Sequence, residues 1–267
     1  MKKSVVVAAA ALAALVGGVS IAGASGETAT VNYSVKGKFN TKSYKPAKLT
    51  FGVKVQAPYP DHISILPMKV ANMKFPSRST MTFMPKKGLP VCRASVTDLS
   101  KAPAAAYAKC GKSAIGMGLA SFQLGQSNAP GQYREGTVVV FYGGKVGKDV
   151  KILFSAWSDQ TNAGVYAEGV LKSNGTMRIA MPRLTADSSV TSLQLEIPGR
   201  AVSGTYGGVG SYSLKKGLDA GFVRVKCRQN AKLTFGSGFE LGSRNAAGNA
   251  TGGTTRLNAT SSTKCGR

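Results

Sequence analysis

The chain has 267 residues, with 35 Lys and Arg against 11 Asp and Glu, so its formal net charge is +24. Hydrophobic residues make up 43% of it, which supports a packed core and excludes a wholly disordered basic tail. With 33 Gly, one His and one Trp, the composition favours a turn-rich β protein that is poor in acid–base and metal-binding side chains. We therefore expect a folded basic protein that is not an enzyme and uses no cofactor or metal.

The first 24 residues are organised like a secretory signal peptide. Met1-Lys2-Lys3 gives a positive start, residues 5–16 form an uninterrupted apolar run, and Ala22-Gly23-Ala24 matches the small-x-small pattern that signal peptidase accepts. We predict cleavage after Ala24. An uncleaved anchor is the alternative, because residues 5–24 approach the ~20 residues that cross a bilayer. No later apolar run reaches that length, so we expect a secreted protein, extracellular or associated with the cell envelope.

Alternation of apolar and polar residues with period two recurs along residues 25–267 and predicts about a dozen strands with one buried face. Examples are residues 49–55, 177–181 and 193–197, while the continuous apolar run Val138 to Tyr142 predicts a strand buried on both faces. Pro103 to Ala108 is the one candidate for a short helix. The pattern predicts a single all-β domain, an antiparallel β-sandwich with a barrel as the alternative.

Four cysteines occur, at Cys92, Cys110, Cys227 and Cys265. In an exported chain an even number of thiols is normally oxidised, so we predict two disulfides. Three pairings are possible, and we favour the sequential one, whose loops give chain-entropy estimates of roughly 3 to 4 kcal/mol each. A zinc site is disfavoured because no two cysteines have C-x₂₋₄-C spacing and His62 is the only imidazole.

The cations are concentrated in the two flanking thirds of the chain. Residues 36–101 contain 13 Lys and Arg against two acids, and residues 201–267 contain 10 against two. Cations that alternate with apolar residues along one strand share its solvent-facing side. On this basis the candidate polyanion-binding residues are Lys36, Lys38, Lys54, Arg224, Lys226 and Arg228. A patch formed by them would attract anionic polymers with salt-sensitive affinity.

Two other functions stay open. A carbohydrate-active hydrolase could use two of the central acids, which are Glu135, Asp149, Asp159, Glu168, Asp187 and Glu196, if two of them met in a cleft. A purely structural envelope protein is expected if the cations are evenly spread, since lysines on exposed strands also keep a β protein soluble. We expect no dedicated nucleic-acid binding, because few aromatics lie near the cations and no nucleic-acid motif occurs.

Cys110-Gly111-Lys112-Ser113, continuing through Ala114 to Gly118, gives the pattern C-x₂-S-x-I-G-x-G after an earlier Cys92. In this pattern the chain resembles small exported β-sandwich proteins of unknown function from high-GC Gram-positive, actinobacterial, bacteria. The resemblance implies one sandwich domain with sequential disulfides and a place outside the cytoplasm. It implies no activity. Together with the charge, it leads us to expect a non-catalytic envelope or extracellular protein whose partners are anionic cell-wall polymers or acidic polysaccharides.

Overall fold

The structure of the protein is a computed structural model that describes residues 19–22, 26–56, 66–84, 88–124, 132–182, 189–199, 201–202, 212–213, 221–244 and 250–266. His62, Asp187 and the first 18 residues of the predicted signal peptide lie outside these ranges.

The described chain consists mainly of antiparallel strands. The first nine are β1 Val19–Ala22, β2 Thr28–Lys36, β3 Lys45–Pro46, β4 Lys48–Gln56, β5 Met68–Lys74, β6 Met81–Phe83, β7 Ala114–Leu124, β8 Gln132–Val146 and β9 Asp149–Ser158. The remaining eight are β10 Ala163–Leu171, β11 Thr176–Ala180, β12 Ser189–Ile197, β13 Ala201–Val202, β14 Tyr212–Ser213, β15 Val223–Val225, β16 Lys232–Arg244 and β17 Ala250–Lys264. The helices are α1 Val96–Leu99, a single turn, and α2 Pro103–Cys110. The predicted short helix at Pro103 to Ala108 is therefore confirmed.

Twelve strands form one antiparallel sheet, in the order β1-β2-β4-β12-β7-β8-β9-β10-β11-β5-β16-β17. The last strand, β17, lies beside β2 and β1, so the sheet curls round and nearly closes on itself. Bulges in β7, β8, β12 and β16 shift the register and help the sheet to bend. The all-β prediction is confirmed, and of the two architectures that the sequence left open, the sheet takes the barrel-like one.

The main core fills the inside of this barrel. Burial alternates along β4, where Leu49, Phe51, Val53 and Val55 are buried and point inward. Tyr33 of β2 packs within the same core. Because the period of a strand is two, this alternation fixes which face of each strand lines the interior.

A second, smaller core lies outside the barrel wall. Leu99 of α1 and Ala106 of α2 pack on the outward side chains of β8 and β9, among them Phe141 and Leu153. The Cys92–Cys110 disulfide joins the two ends of this helical segment, with Cα atoms 5.1 Å apart. The prediction that Val138 to Tyr142 is buried on both faces is thus confirmed, because the barrel interior covers one face and the helices cover the other.

One end of the barrel, which we call the closed end, is covered by a three-stranded sheet in the order β3-β15-β6. Phe222, just before β15, is buried with its ring centroid 6.1 Å from that of Tyr142 and 6.0 Å from that of Phe83. We call the other end, where β7, β9 and β11 finish, the open end. The interior is therefore plugged by aromatic rings at one end of the barrel.

The Cys227–Cys265 disulfide ties the segment after β15 to the end of β17, with Cα atoms 6.6 Å apart. Both predicted disulfides, in the sequential pairing, are confirmed. In the described part of the chain, no helix is both long and apolar enough to cross a membrane. The two disulfides fit an extracellular protein.

Strand β1, Val19–Ala22, falls within the segment that the sequence predicts to be cleaved, and it pairs with β2. A mature chain beginning at residue 25 would lack β1 and leave β2 and β17 as the facing edges of the sheet.

Candidate functional site

The closed end brings together five of the six predicted polyanion-binding residues. Lys36 ends β2 there, and Lys38 follows it after Gly37. Gly37 lies so close to strand β3 that a Cβ on it would be 3.2 Å from the backbone oxygen of Pro46. Pro46 in turn pairs with Arg224 in the small sheet. The two lysines and Arg224 are therefore neighbours, although about 190 residues separate them in sequence.

Burial alternates across residues 223–228 as the sequence predicts. Val223, Val225 and Cys227 are buried, whereas Arg224 and Lys226 are half-buried and Arg228 is exposed. The strand itself ends at Val225, and the backbone N–H of Lys226 donates to the carbonyl of Thr80. The three cations thus lie on the outer side of the sheet that covers the closed end.

Two aromatic and polar contacts hold this outer surface in place. The Lys226 Nζ lies 5.2 Å from the ring centroid of Tyr44, within the distance for a cation–π interaction. The Tyr44 hydroxyl donates to the carbonyl of Arg78 at 2.6 Å. Lys226 is therefore positioned over a ring instead of extending freely into solvent, and Arg78 is brought to the same surface.

A cleft beside the small sheet adds cations that the sequence analysis missed. Arg78, Lys148 and Lys172 line it, together with Thr82 and Ser173. These three cations come from three separate turns, and they meet only because the β8–β9 turn, the β10–β11 turn and the segment after β5 all lie at the closed end of the barrel. Lys45, whose strand pairs with β15, is a further cation that the sequence analysis did not select.

Lys54 does not belong to this group. It is exposed near the other end of β4, where it pairs with Thr30 and Ser192. Six residues of strand separate it from Lys48 at the closed end, which corresponds to about 20 Å. The structure therefore brings five of the six candidates to one end of the barrel and leaves Lys54 apart.

Five of the acids considered for hydrolysis lie in the described part of the chain, and each makes contacts of its own. Glu196 Oε2 lies 2.7 Å from Lys48 Nζ, and Glu168 Oε2 lies 2.6 Å from Lys151 Nζ. Asp149 accepts a hydrogen bond from the backbone N–H of Ser173 at 2.9 Å, and Asp159 accepts one from the indole N–H of Trp157 at 2.8 Å. Glu135 is buried in β8, where its backbone N–H donates to Gln160.

One of these acids perturbs a neighbouring tyrosine. The Tyr166 hydroxyl donates to Glu168 Oε2 at 2.9 Å. Burial, together with this hydrogen bond and the carboxylate charge, raises the pKa of Tyr166 to about 12. The hydrogen bond from Lys151, aided by that from Tyr166, lowers the pKa of Glu168 below its usual value. Glu168 is therefore held as a carboxylate in an ion pair on the outer face of β10.

Comparison of the chain with known proteins finds no matching family model, no matching curated protein and no matching solved structure.

Proposed function

We propose that this is an exported, non-catalytic protein of the cell envelope or extracellular space that binds anionic polymers through the cations of its closed end. The observation that carries the proposal is the convergence of Lys36, Lys38, Arg224, Lys226 and Arg228 on one end of the barrel. The disulfides and the predicted signal peptide support a place outside the cytoplasm.

The local balance of charge also favours this proposal. Among the described residues, the acids Glu196 and Asp149 lie at the closed end, and they are already engaged, Glu196 by Lys48 and Asp149 by the backbone of Ser173. The cleft of Arg78, Lys148 and Lys172 extends the positive surface with a concave part that a carboxylate or phosphate group could enter. A polymer that repeats such groups would contact several of these cations at once, which multiplies the attraction.

The experiment compares two variants that lose the same amount of charge. Lys226→Gln with Arg228→Gln removes two cations from the closed end, and Lys54→Gln with Arg256→Gln removes two exposed cations from the open half. Binding to poly(glycerol phosphate) and to polygalacturonate is measured by titration at several salt concentrations. We expect tight binding of the wild-type protein at low salt. The slope of the logarithm of the binding constant against the logarithm of the salt concentration should decrease in magnitude by roughly 2 in the closed-end variant only, because binding then releases about two fewer counterions.

The proposal is wrong if the wild-type protein binds neither polymer at low salt. It is also wrong if the two variants lose affinity equally, because that result would assign the binding to overall charge and not to the closed end.

A further inference from the structure

The interior of the barrel contains a cavity towards its open end, far from the cations described above. Its wall comes from β7 to β12 and β5, with Phe122, Val138, Phe154, Ile179, Leu193 and Met68 among the lining residues. The cavity volume is about 70 Å³. This is several times the roughly 10–15 Å³ that one water molecule requires. Among the described residues that line it, none carries a charge.

The cavity exists because small side chains occupy the inward positions of the wall at this level. Ala120, Ala156, Ala163 and Ala167 all line it, one on β7, one on β9 and two on β10. Nearer the closed end the corresponding space is filled by rings, such as the stacked pair Tyr33 and Phe235 with centroids 4.3 Å apart. Protein interiors are otherwise close-packed, so a run of alanines that leaves such a space is unusual.

One polar group in the cavity has no partner. Ser158 shares the inward side of β9 with Phe154 and Ala156, and it is only 1% exposed. Its hydroxyl makes no hydrogen bond with any of the described residues. By contrast, the hydroxyl of Ser189, which also lines the cavity, donates to the carbonyl of Leu66 at 2.8 Å. A buried hydroxyl without a partner is costly, and a ligand oxygen at this position would remove the cost.

We propose that this cavity binds a neutral, mainly hydrocarbon ligand with a single hydroxyl or carbonyl oxygen, which forms a hydrogen bond with the Ser158 hydroxyl. The apolar lining accounts for the hydrocarbon part, and the uncharged wall accounts for the neutrality. Antiparallel barrels whose interior is not filled by side chains are suited to holding one small ligand. This site is independent of polyanion binding, since it lies inside the opposite end of the barrel.

The cavity volume of about 70 Å³ limits the test ligand to a few heavy atoms, because a cavity of about 150 Å³ holds one benzene. The full-length protein is therefore titrated with 1-propanol, and binding is followed by the methyl NMR signals of Met68 and Ile179, which line the cavity. A neutral probe avoids attraction to the cationic end. We expect a saturable shift of these signals and no comparable shift for Met84, which is exposed beside Phe222 at the closed end.

Five variants test the assignment. Ala156→Phe and Ala167→Leu each fill the cavity and are expected to abolish the response, whereas Ala105→Phe, on the exposed side of α2, should keep it. Ser158→Ala should weaken 1-propanol binding about three- to tenfold, as the loss of one hydrogen bond predicts. Ser261→Ala is its matched control, because Ser261 also has a buried hydroxyl without a partner among the described residues but does not line the cavity.

The proposal is overturned if 1-propanol gives no saturable response, or if binding persists in a folded variant whose cavity is filled. The assignment of the hydrogen bond to Ser158 is overturned if Ser158→Ala binds 1-propanol as tightly as Ser261→Ala does. Far-ultraviolet circular dichroism identifies which variants are folded and so enter the comparison.

Discussion

Aromatic side chains pack the closed end of the barrel, and alanines line the open end. Phe235 is fully buried against Tyr33, with its ring 6.3 Å from that of Phe75, and Phe222 covers this group from the small sheet. At the open end, alanines of β7, β9 and β10 leave a cavity. Both ends share the same strands and hydrogen-bonded ladder, so the volume of the inward side chains decides which end is filled. Stability is therefore expected to depend mainly on the closed end, and ligand capacity on the open end.

The largest effect is expected from removing a ring at the closed end. Phe235→Ala should lower the free energy of unfolding by about 3–5 kcal/mol, which corresponds to a melting temperature lower by roughly 10 °C for a chain of this length. Phe122→Ala, at the cavity wall, should cost about half as much, because the ring already lacks neighbours on its cavity side. Urea unfolding of both variants measures the difference. Equal losses would show that the two ends are equally well packed.

The two disulfides allow a second comparison. Replacing Cys227 and Cys265 by Ala should cost about 4 kcal/mol, and replacing Cys92 and Cys110 about 3 kcal/mol, because the first pair closes the longer loop. The first change affects the closed end directly, and the second affects the helices outside the wall. Guanidinium unfolding of each variant measures these values, with the reduced wild-type protein as the reference for the loss of both. If the Cys92–Cys110 variant is the less stable one, the outer helices contribute more to the free energy of unfolding than the small sheet at the closed end does.

Much of the wall was predictable, because burial in a strand follows from local alternation. The double burial of Val138 to Tyr142 and the outward cations at residues 223–228 both came from a few consecutive residues. The pair Gly143-Gly144 has the composition of a hairpin turn, but β8 runs on to Val146. The positive φ of Gly144 serves a bulge inside the strand instead.

The parts that could not be predicted depend on closure of the sheet. The cleft of Arg78, Lys148 and Lys172 combines turns that are distant in sequence, and no local pattern marks them as neighbours. The cavity was missed for a similar reason. The alternation of apolar and polar residues around an inward alanine such as Ala156 is the same in both cases, whether a ring from another strand fills the space beside it or that space is empty.

The smallest effect expected here concerns a polar contact in the closed half. The Tyr33 hydroxyl is buried and 2.7 Å from the Ser237 hydroxyl, and burial raises the pKa of Tyr33 far above its ordinary value of 10. Tyr33→Phe should cost about 1 kcal/mol at pH 8 through the lost hydrogen bond. Above pH 10 an unfolded chain ionises this tyrosine while the folded chain keeps it neutral, so the wild-type protein loses the stability that this group contributes as the pH rises.

The variant has no such ionisation at position 33. At pH 11 the wild-type protein should have lost about 1.4 kcal/mol from this group alone, which is enough to cancel the advantage of about 1 kcal/mol that it holds at pH 8. Urea unfolding of both proteins at pH 8 and pH 11 measures the gap, and Tyr44→Phe, at an exposed hydroxyl, controls for general alkaline effects. A difference in unfolding free energy that stays constant between the two pH values would mean that Tyr33 ionises as freely in the folded barrel as in the unfolded chain. Water would then reach the Tyr33 hydroxyl in the folded protein, despite the packed rings around it.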